Sequence, residues 1–200
     1  MEREGRSDEQ WVEAARQGDR EAFRVLVERY KSYVFTLILR LVDHRETAED
    51  LAQETFIKLF RSLEHFRSDA KFTTWMYRIA VNVVSDYRRS QMRRPVENMF
   101  DRMKDWMANR REGPEEQAIL QEERLSMQRL VAELPEKYRV VIVLYHFRQL
   151  SYQEIAEIMQ LPVKTVETRL YRGKSMLKQK WLEVQEHESF PSAAKAVREQ

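Results

Sequence analysis

The chain of 200 residues contains no cysteine and has only four glycines and five prolines. Without thiols there is no disulfide framework, no thiolate nucleophile and no cysteine-ligated zinc. With so few breakers in a chain rich in helix formers, the expected fold class is all-α. No apolar run approaches the roughly 20 residues that a membrane span requires. The opening "MEREGRSDEQ" is too polar and charged for a signal peptide. The four histidines, His44, His65, His146 and His187, are scattered and form no ligand constellation. The expectation is therefore a soluble, cytoplasmic protein with no membrane insertion, no metal and no other cofactor.

What is present is charge, in blocks. Charged residues make up 34% of the chain, yet the formal net charge is only +2. Residues 61–94 hold eight basic and three acidic side chains; residues 162–182 hold six basic ones and only Glu167 against them. Between the two, residues 97–136 carry ten acids and six bases. Two basic clusters separated by an acidic stretch point to two polyanion-contacting surfaces on separate units.

Periodicity places those units. The first is expected over residues 8–93. In "EAFRVLVERYKSYVFTLILRLV" the apolar residues Phe23, Leu26, Val27, Tyr30, Val34, Leu37, Ile38 and Leu41 recur every three or four positions, as a buried helix face requires. "ETAEDLAQETFIKLFRSL" follows, with Leu51, Thr55, Phe56, Leu59 and Leu63 on one side and Asp50, Gln53, Glu54, Lys58 and Arg61 on the other. A polar loop then leads into a long helix with an expected core stripe of Met76, Ile79, Ala80 and Val83. Residues 94–117, bounded by Pro95 and Gly113-Pro114, break the pattern and read as an irregular linker. Its Met99, Phe100, Met103, Trp106 and Met107 are apolar for a free spacer. The second unit is expected over residues 118–182, followed by a polar, loosely ordered tail over 183–200. Its "YRVVIVLYHF" has strand composition but no strand to pair with, so it reads as a helix buried nearly all round.

In the second unit, Ser151 and Glu154 form an S-x-x-E capping box. The helix they open is expected to bury Ile155, Ala156 and Met159. "QLP" makes a tight turn, and Pro162 suits the first position of the next helix. There Val163, Val166, Leu170 and Leu177 form the inward stripe, and at 100° per residue Lys164, Glu167, Thr168, Tyr171, Arg172 and Ser175 face away. Two short helices so joined make a helix-turn-helix, whose second helix fits the B-DNA major groove. Lys164 and Arg172 suit phosphates or guanine edges, and Tyr171 and the Thr168 methyl suit apolar base contacts. Arg169 flanks the stripe and is expected at the DNA backbone.

In the first unit, "YRIAVNVVSDYRR" carries Arg78, Asn82, Asp86 and Arg89 on its non-core face. Phe66, Phe72, Trp75, Tyr77 and Tyr87 surround it with aromatic surface, Phe72 and Trp75 at least partly in the core. Basic residues interleaved with aromatics suit single-stranded nucleic acid, and an asparagine can bond the edge of a flipped base. The acids of "AEDLAQETF" suit a protein-binding face better than metal or acid–base chemistry, because no ligand geometry accompanies Glu49, Asp50 and Glu54.

These blocks, in this order, resemble the extracytoplasmic-function sigma factors of bacterial RNA polymerase, within the sigma-70 family. The resemblance rests on "AEDLAQETFIKLFRSLEHFR", "FTTWMYRIAVNVVSDYRR" and "LPEKYRVVIVLYHFRQLSYQEIAEIMQLPVKTVETRLYRGKSMLK". It implies a sigma domain 2 at 8–93 that binds the β′ clamp helices of core polymerase and opens the −10 promoter element. It implies a sigma domain 4 at 118–182 that reads the −35 duplex and binds the β flap. Core polymerase, duplex and single-stranded promoter DNA, and an anti-sigma factor are the implied partners, and the chain itself is not an enzyme. Carried over by residue, Asp50, Gln53 and Glu54 match the core-binding helix. Phe66, Lys71, Trp75, Tyr77, Arg78, Asn82, Arg88 and Arg89 form the −10 set, with Asn82 at the flipped-base position. Lys164, Thr165, Glu167, Thr168, Arg169, Tyr171, Arg172 and Lys174 form the −35 set. Two positions depart from the family pattern: Glu167 replaces a residue that is often basic, and Lys164 one that is often glycine. A helix-turn-helix operator regulator is the alternative reading, and a small metal-dependent nuclease a lesser one.

Overall fold

The computed structural model describes residues 6–66, 71–93 and 127–189. The linker 94–117, with its five apolar residues, lies outside them. Every regular element among the described residues is helical.

The first unit is built from α1 (Asp8–Arg16), α2 (Arg20–Val42), α3 (Arg45–Ser62) with a 3-10 turn at Leu63–His65, and α4 (Phe72–Arg93). Ser7 and Gln10 cap α1 reciprocally, at 3.0 and 3.4 Å. Gly18, at φ +95°, turns the chain through a conformation that L side chains avoid. Asp19 then caps α2 by accepting from the amides of Glu21 and Ala22, at 2.9 and 3.1 Å. Most of the expected stripe of α2 is core: Leu26, Tyr30, Val34, Leu37, Ile38 and Leu41 are buried with Leu51, Thr55 and Leu59 of α3 and Met76, Ala80 and Val83 of α4, whereas Phe23 and Val27 are only half-buried. In α4 the buried stripe differs from the expected one: Val81 and Val84 are also buried, and Ile79 is only half-buried.

The second unit holds a helical segment at residues 127–132, then α5 (Glu136–Arg148), α6 (Tyr152–Met159) and α7 (Val163–Ser189). The run "YRVVIVLYHF" is helical, and α5 is buried continuously from Arg139 to Leu144. The reason is its position. It packs on α7 on one side and on α2 of the first unit on the other. Gly173 of α7 permits the close approach, since a Cβ there would meet Ile142 Cγ1 at 3.0 Å.

Three expectations shift. Ile158 rather than Met159 is buried in α6, and Val163 is exposed. Helix α7 does not stop at residue 182 but continues to Ser189, because no breaker lies between Leu182 and Pro191 and Gln179 bonds Glu183 one turn on, at 3.1 Å.

The two units touch directly. The guanidinium of Arg139 donates to the carbonyls of Leu41 in α2, at 2.7 Å, and of Leu134, at 2.9 Å. Arg88 of α4 donates to the same Leu41 oxygen. Ser85 bonds Glu136 at 2.6 Å, and Lys71 pairs with Glu154 at 2.9 Å. The Arg40 guanidinium lies 3.8 Å over the Phe147 ring.

Candidate nucleic-acid interface

The helix-turn-helix forms as its residues dictate. The Ser151 hydroxyl accepts from the Glu154 amide at 3.2 Å while the Glu154 carboxylate takes the Ser151 amide at 3.0 Å. Gln160 ends α6 in the left-handed region, at φ 52°. The Pro162 carbonyl accepts from Thr165 and Val166, at 2.8 and 3.2 Å, and so starts α7. Val166 and Leu170 are buried, which fixes the helix rotation and turns the opposite side to solvent.

On that side the −35 candidates separate into three strips. Lys164, Thr165, Thr168, Arg169 and Arg172 line one cleft of about 270 Å³, closed on its far wall by Lys137 and Tyr138 of α5. Tyr171 projects from the next strip, 77% exposed. Beside it Glu167 is half-buried and lies 3.6 Å from Lys164. Lys174 lies apart, its ammonium 4.9 Å from the centre of the Tyr145 ring. The Thr168 hydroxyl donates to the Lys164 carbonyl at 2.8 Å, which holds the side chain in one rotamer.

The −10 candidates divide by burial. Phe66 and Trp75 are buried, with ring centroids 4.8 Å apart, in an aromatic group completed by Phe72 and Tyr30. Tyr77 is only 5% exposed, and its hydroxyl accepts from Arg148 Nε at 3.0 Å. Lys71 is exposed but paired with Glu154, and Arg88 is held on the Leu41 carbonyl, where burial lowers its pKa. Asn82 and Arg89 are exposed along one side of α4 with Asp86, which lies 3.3 Å from Arg89. Arg78, at the head of that side, is half-buried. The aromatic residues of the set, expected as a surface, are thus turned into the protein because they pack on one another and on Arg148, whereas Lys71, Asn82 and Arg89 are turned out.

Asp50, Gln53 and Glu54 are exposed together on α3, Glu54 bonded to Lys58 at 2.9 Å. Ile57 and Phe60, each 50% exposed, continue the same side. Sequence reasoning passed over both, although they follow Gln53 at helical spacing of four and seven. It also passed over Lys137 and Tyr138, which no local pattern connects with α7. Among the described residues no group of three or more acids and histidines is placed to hold a metal ion, and no helix is long and apolar enough to cross a membrane.

A two-unit helical protein with a capped helix-turn-helix and a cationic recognition face belongs to the DNA-binding class. Comparison with known proteins makes that class specific. The profile for Sigma-70 region 2 matches residues 26–94, and that for Sigma-70, region 4 matches residues 124–177. The chain is 36% identical over 178 residues to the RNA polymerase sigma-H factor of Pseudomonas aeruginosa, covering 85% of this chain and 91% of that one. It is 38% identical over 182 residues to the ECF RNA polymerase sigma-E factor of Haemophilus influenzae, covering 87% and 95%. Among solved structures, CnrH in complex with the cytosolic domain of CnrY is similar at a TM-score of 0.64 and 26% identity, covering 87% of this chain and 96% of that one. RpoE of Bartonella quintana, in complex with the anti-sigma factor NepR, shares the fold at a TM-score of 0.58 and 21% identity, covering 81% and 97%. The chain belongs to the sigma-70 family, as an extracytoplasmic-function RNA polymerase sigma factor.

Proposed function

We propose that this sigma factor binds core polymerase through Asp50, Gln53 and Glu54, reads the −35 duplex with α7, and opens and reads the −10 element with α4 and the loop before it. Sigma domain 2 then spans residues 8–93 and sigma domain 4 begins near residue 118. The observation that carries this reading is the outward side of α7, where Lys164, Thr168, Tyr171 and Arg172 are exposed on a helix whose rotation is fixed by buried Val166 and Leu170. A second helix with basic and apolar groups on its free side, held by a capped first helix, suits major-groove readout. The chain supplies promoter address and strand opening in the cytoplasm, while catalysis belongs to the polymerase.

The contact between the units bears on this mechanism. Tyr77 is buried beneath Arg148 and Lys71 is paired with Glu154, so −10 DNA reaches Tyr77 only after the second unit leaves α4 and competes with Glu154 for Lys71. An anti-sigma factor is the partner expected to act on this equilibrium, as the Bartonella RpoE is found with the anti-sigma factor NepR and CnrH with the cytosolic domain of CnrY.

The test is run-off transcription by core polymerase with and without the purified chain, with genome-wide mapping of start sites after overexpression. The expected outcome is a set of starts that share two elements at −35 and −10. Failure to bind core polymerase, or initiation at no promoter, would remove the proposal.

A further inference from the structure

The cleft beside the recognition helix has a wall that the helix-turn-helix alone does not provide. Lys137 and Tyr138, in the first turn of α5, face Lys164, Thr165, Thr168, Arg169 and Arg172 across about 270 Å³. Four of these seven side chains are cations. Of the acids near them, Glu136 bonds Ser85, and Glu167 pairs with Lys164 at 3.6 Å. The Lys137 ammonium is 5.0 Å from the centre of the Tyr138 ring. The Tyr138 phenol is held below the ordinary tyrosine range, chiefly by the hydrogen bond from Arg172 and further by the charge of Lys137.

Its position limits the ligand. The cleft runs from Lys164 and Thr168 on the outward side of α7 to Arg169 beside the inward stripe, and Tyr171 lies outside it. In its inner part, between Arg169, Arg172 and the α5 wall, a bound group meets the rim of the groove, while Lys164 and Thr168 at its outer edge keep their free side for the bases. Like charges gathered around one hollow repel one another unless an anion occupies it. A phosphate offers several strong acceptors to lysine, guanidinium and hydroxyl donors together.

We propose that this cleft is a binding site for a DNA backbone phosphate flanking the −35 element, and that Lys137 and Tyr138 are positioning residues for it. They come from a helix outside the helix-turn-helix and fix the register of α7 in the major groove. Phosphate contacts of this kind set orientation and affinity without reading sequence. The site rests on the −35 reading above.

The experiment uses holoenzyme reconstituted from core polymerase and the full chain. Its probe is a promoter duplex from the start-site map, in which single methylphosphonates replace successive phosphates around the −35 element. With the unaltered chain, neutralising one phosphate on the flank of the element weakens binding several-fold. Lys137→Ala weakens binding to a similar extent. It also lowers the slope of log affinity against log salt by about 0.9, the value for one phosphate contact. At that one methylphosphonate position Lys137→Ala shows no further loss, whereas Tyr138→Phe gives an intermediate loss at the same position. Lys137→Ala with unchanged affinity and salt slope would overturn the proposal, provided Arg172→Ala still weakens binding. A loss in Lys137→Ala with every methylphosphonate position still felt would also overturn it, because the lysine would then act elsewhere. If Arg172→Ala and changes of the −35 bases leave binding intact as well, it is the −35 reading itself that fails.

Discussion

Arg139 enters the core of a largely aliphatic helix and is 7% exposed. Two of its guanidinium nitrogens meet main-chain carbonyls, of Leu41 and Leu134, and its Nε has no partner. Leu41 lies in the last turn of α2, where carbonyls lack an intrahelical donor. Arg139 and Arg88 together supply that donor from outside the helix. Burial, with the nearby Arg88 charge, pulls the Arg139 pKa down to about 10. Replacement by methionine removes two charge-assisted bonds and leaves the Leu134 carbonyl buried, at a cost of about 1–3 kcal/mol. Arg139→Lys is expected to lose most of the same amount, because one ammonium cannot serve both carbonyls as a planar fork does. Urea unfolding followed by circular dichroism checks both; variants within a few tenths of a kcal/mol of the parent would show that the fork adds nothing net. Glu167 is a different kind of residue, half-exposed on the reading side. Glu167→Arg is expected to change the preferred −35 sequence while leaving core-polymerase binding intact, as read by selection of bound duplexes from a random pool. The outward residues of α7 were legible because 100° per residue suffices to sort one helix. Arg139 was not, since its carbonyl partner on α2 is 98 positions away in sequence.

At the scale of elements, the helices follow the 3.6-residue pattern where one side is buried, as in α2 and α3. The capping boxes at Ser7–Gln10 and Ser151–Glu154 mark their starts. Two elements were harder to read. Helix α5 shows almost no periodicity because it has neighbours all round, and α7 outruns its expected end because no residue between Leu182 and Pro191 opposes helix. The α5–α7 pair depends on Gly173, where an added Cβ would also lie 3.3 Å from Ile142 Cδ1 and 3.5 Å from Tyr138 Cβ. An alanine there sets a helix-propensity gain of about 1 kcal/mol against that tight contact. A valine adds two further methyl groups with no room to accept them and is expected to cost about 1–3 kcal/mol. Forcing α5 from α7 also widens the cleft that Lys137 and Tyr138 close. Gly173→Val should therefore lower both the thermal midpoint and the affinity of the holoenzyme for −35 duplex. A valine variant that retained both would show that the close approach is not needed.

At the scale of the molecule, the contact between the units brings polar groups from the second onto the −10 candidates of the first. None of this was legible, because Lys71 and Glu154, 83 positions apart, each look like an ordinary surface residue. Glu154 serves two structures at once: it completes the α6 capping box and pairs with Lys71. The Lys71 ammonium first, then the Ser151 amide and hydroxyl, hold its carboxyl down at about 2. A carboxyl depressed by folding contributes its stabilisation above the ordinary carboxylate range and loses it as pH falls through that range toward 2. The Lys71 ammonium is largely exposed, so the pair itself adds no more than about 1 kcal/mol. Loosening of α6 from α4 is thus expected below about pH 4.5, by analogy with the free carboxylate. Fluorescence energy transfer between labels on α4 and α6 would follow it. Glu154→Gln separates the two roles, since glutamine can still complete a capping box but carries no charge for Lys71. It is expected to hold α6 intact, to shift the units toward separation at neutral pH, and to remove the transition between pH 5 and 2. A persisting acid transition in Glu154→Gln would assign it to other carboxylates and leave the Lys71–Glu154 pair without a part in holding the units together.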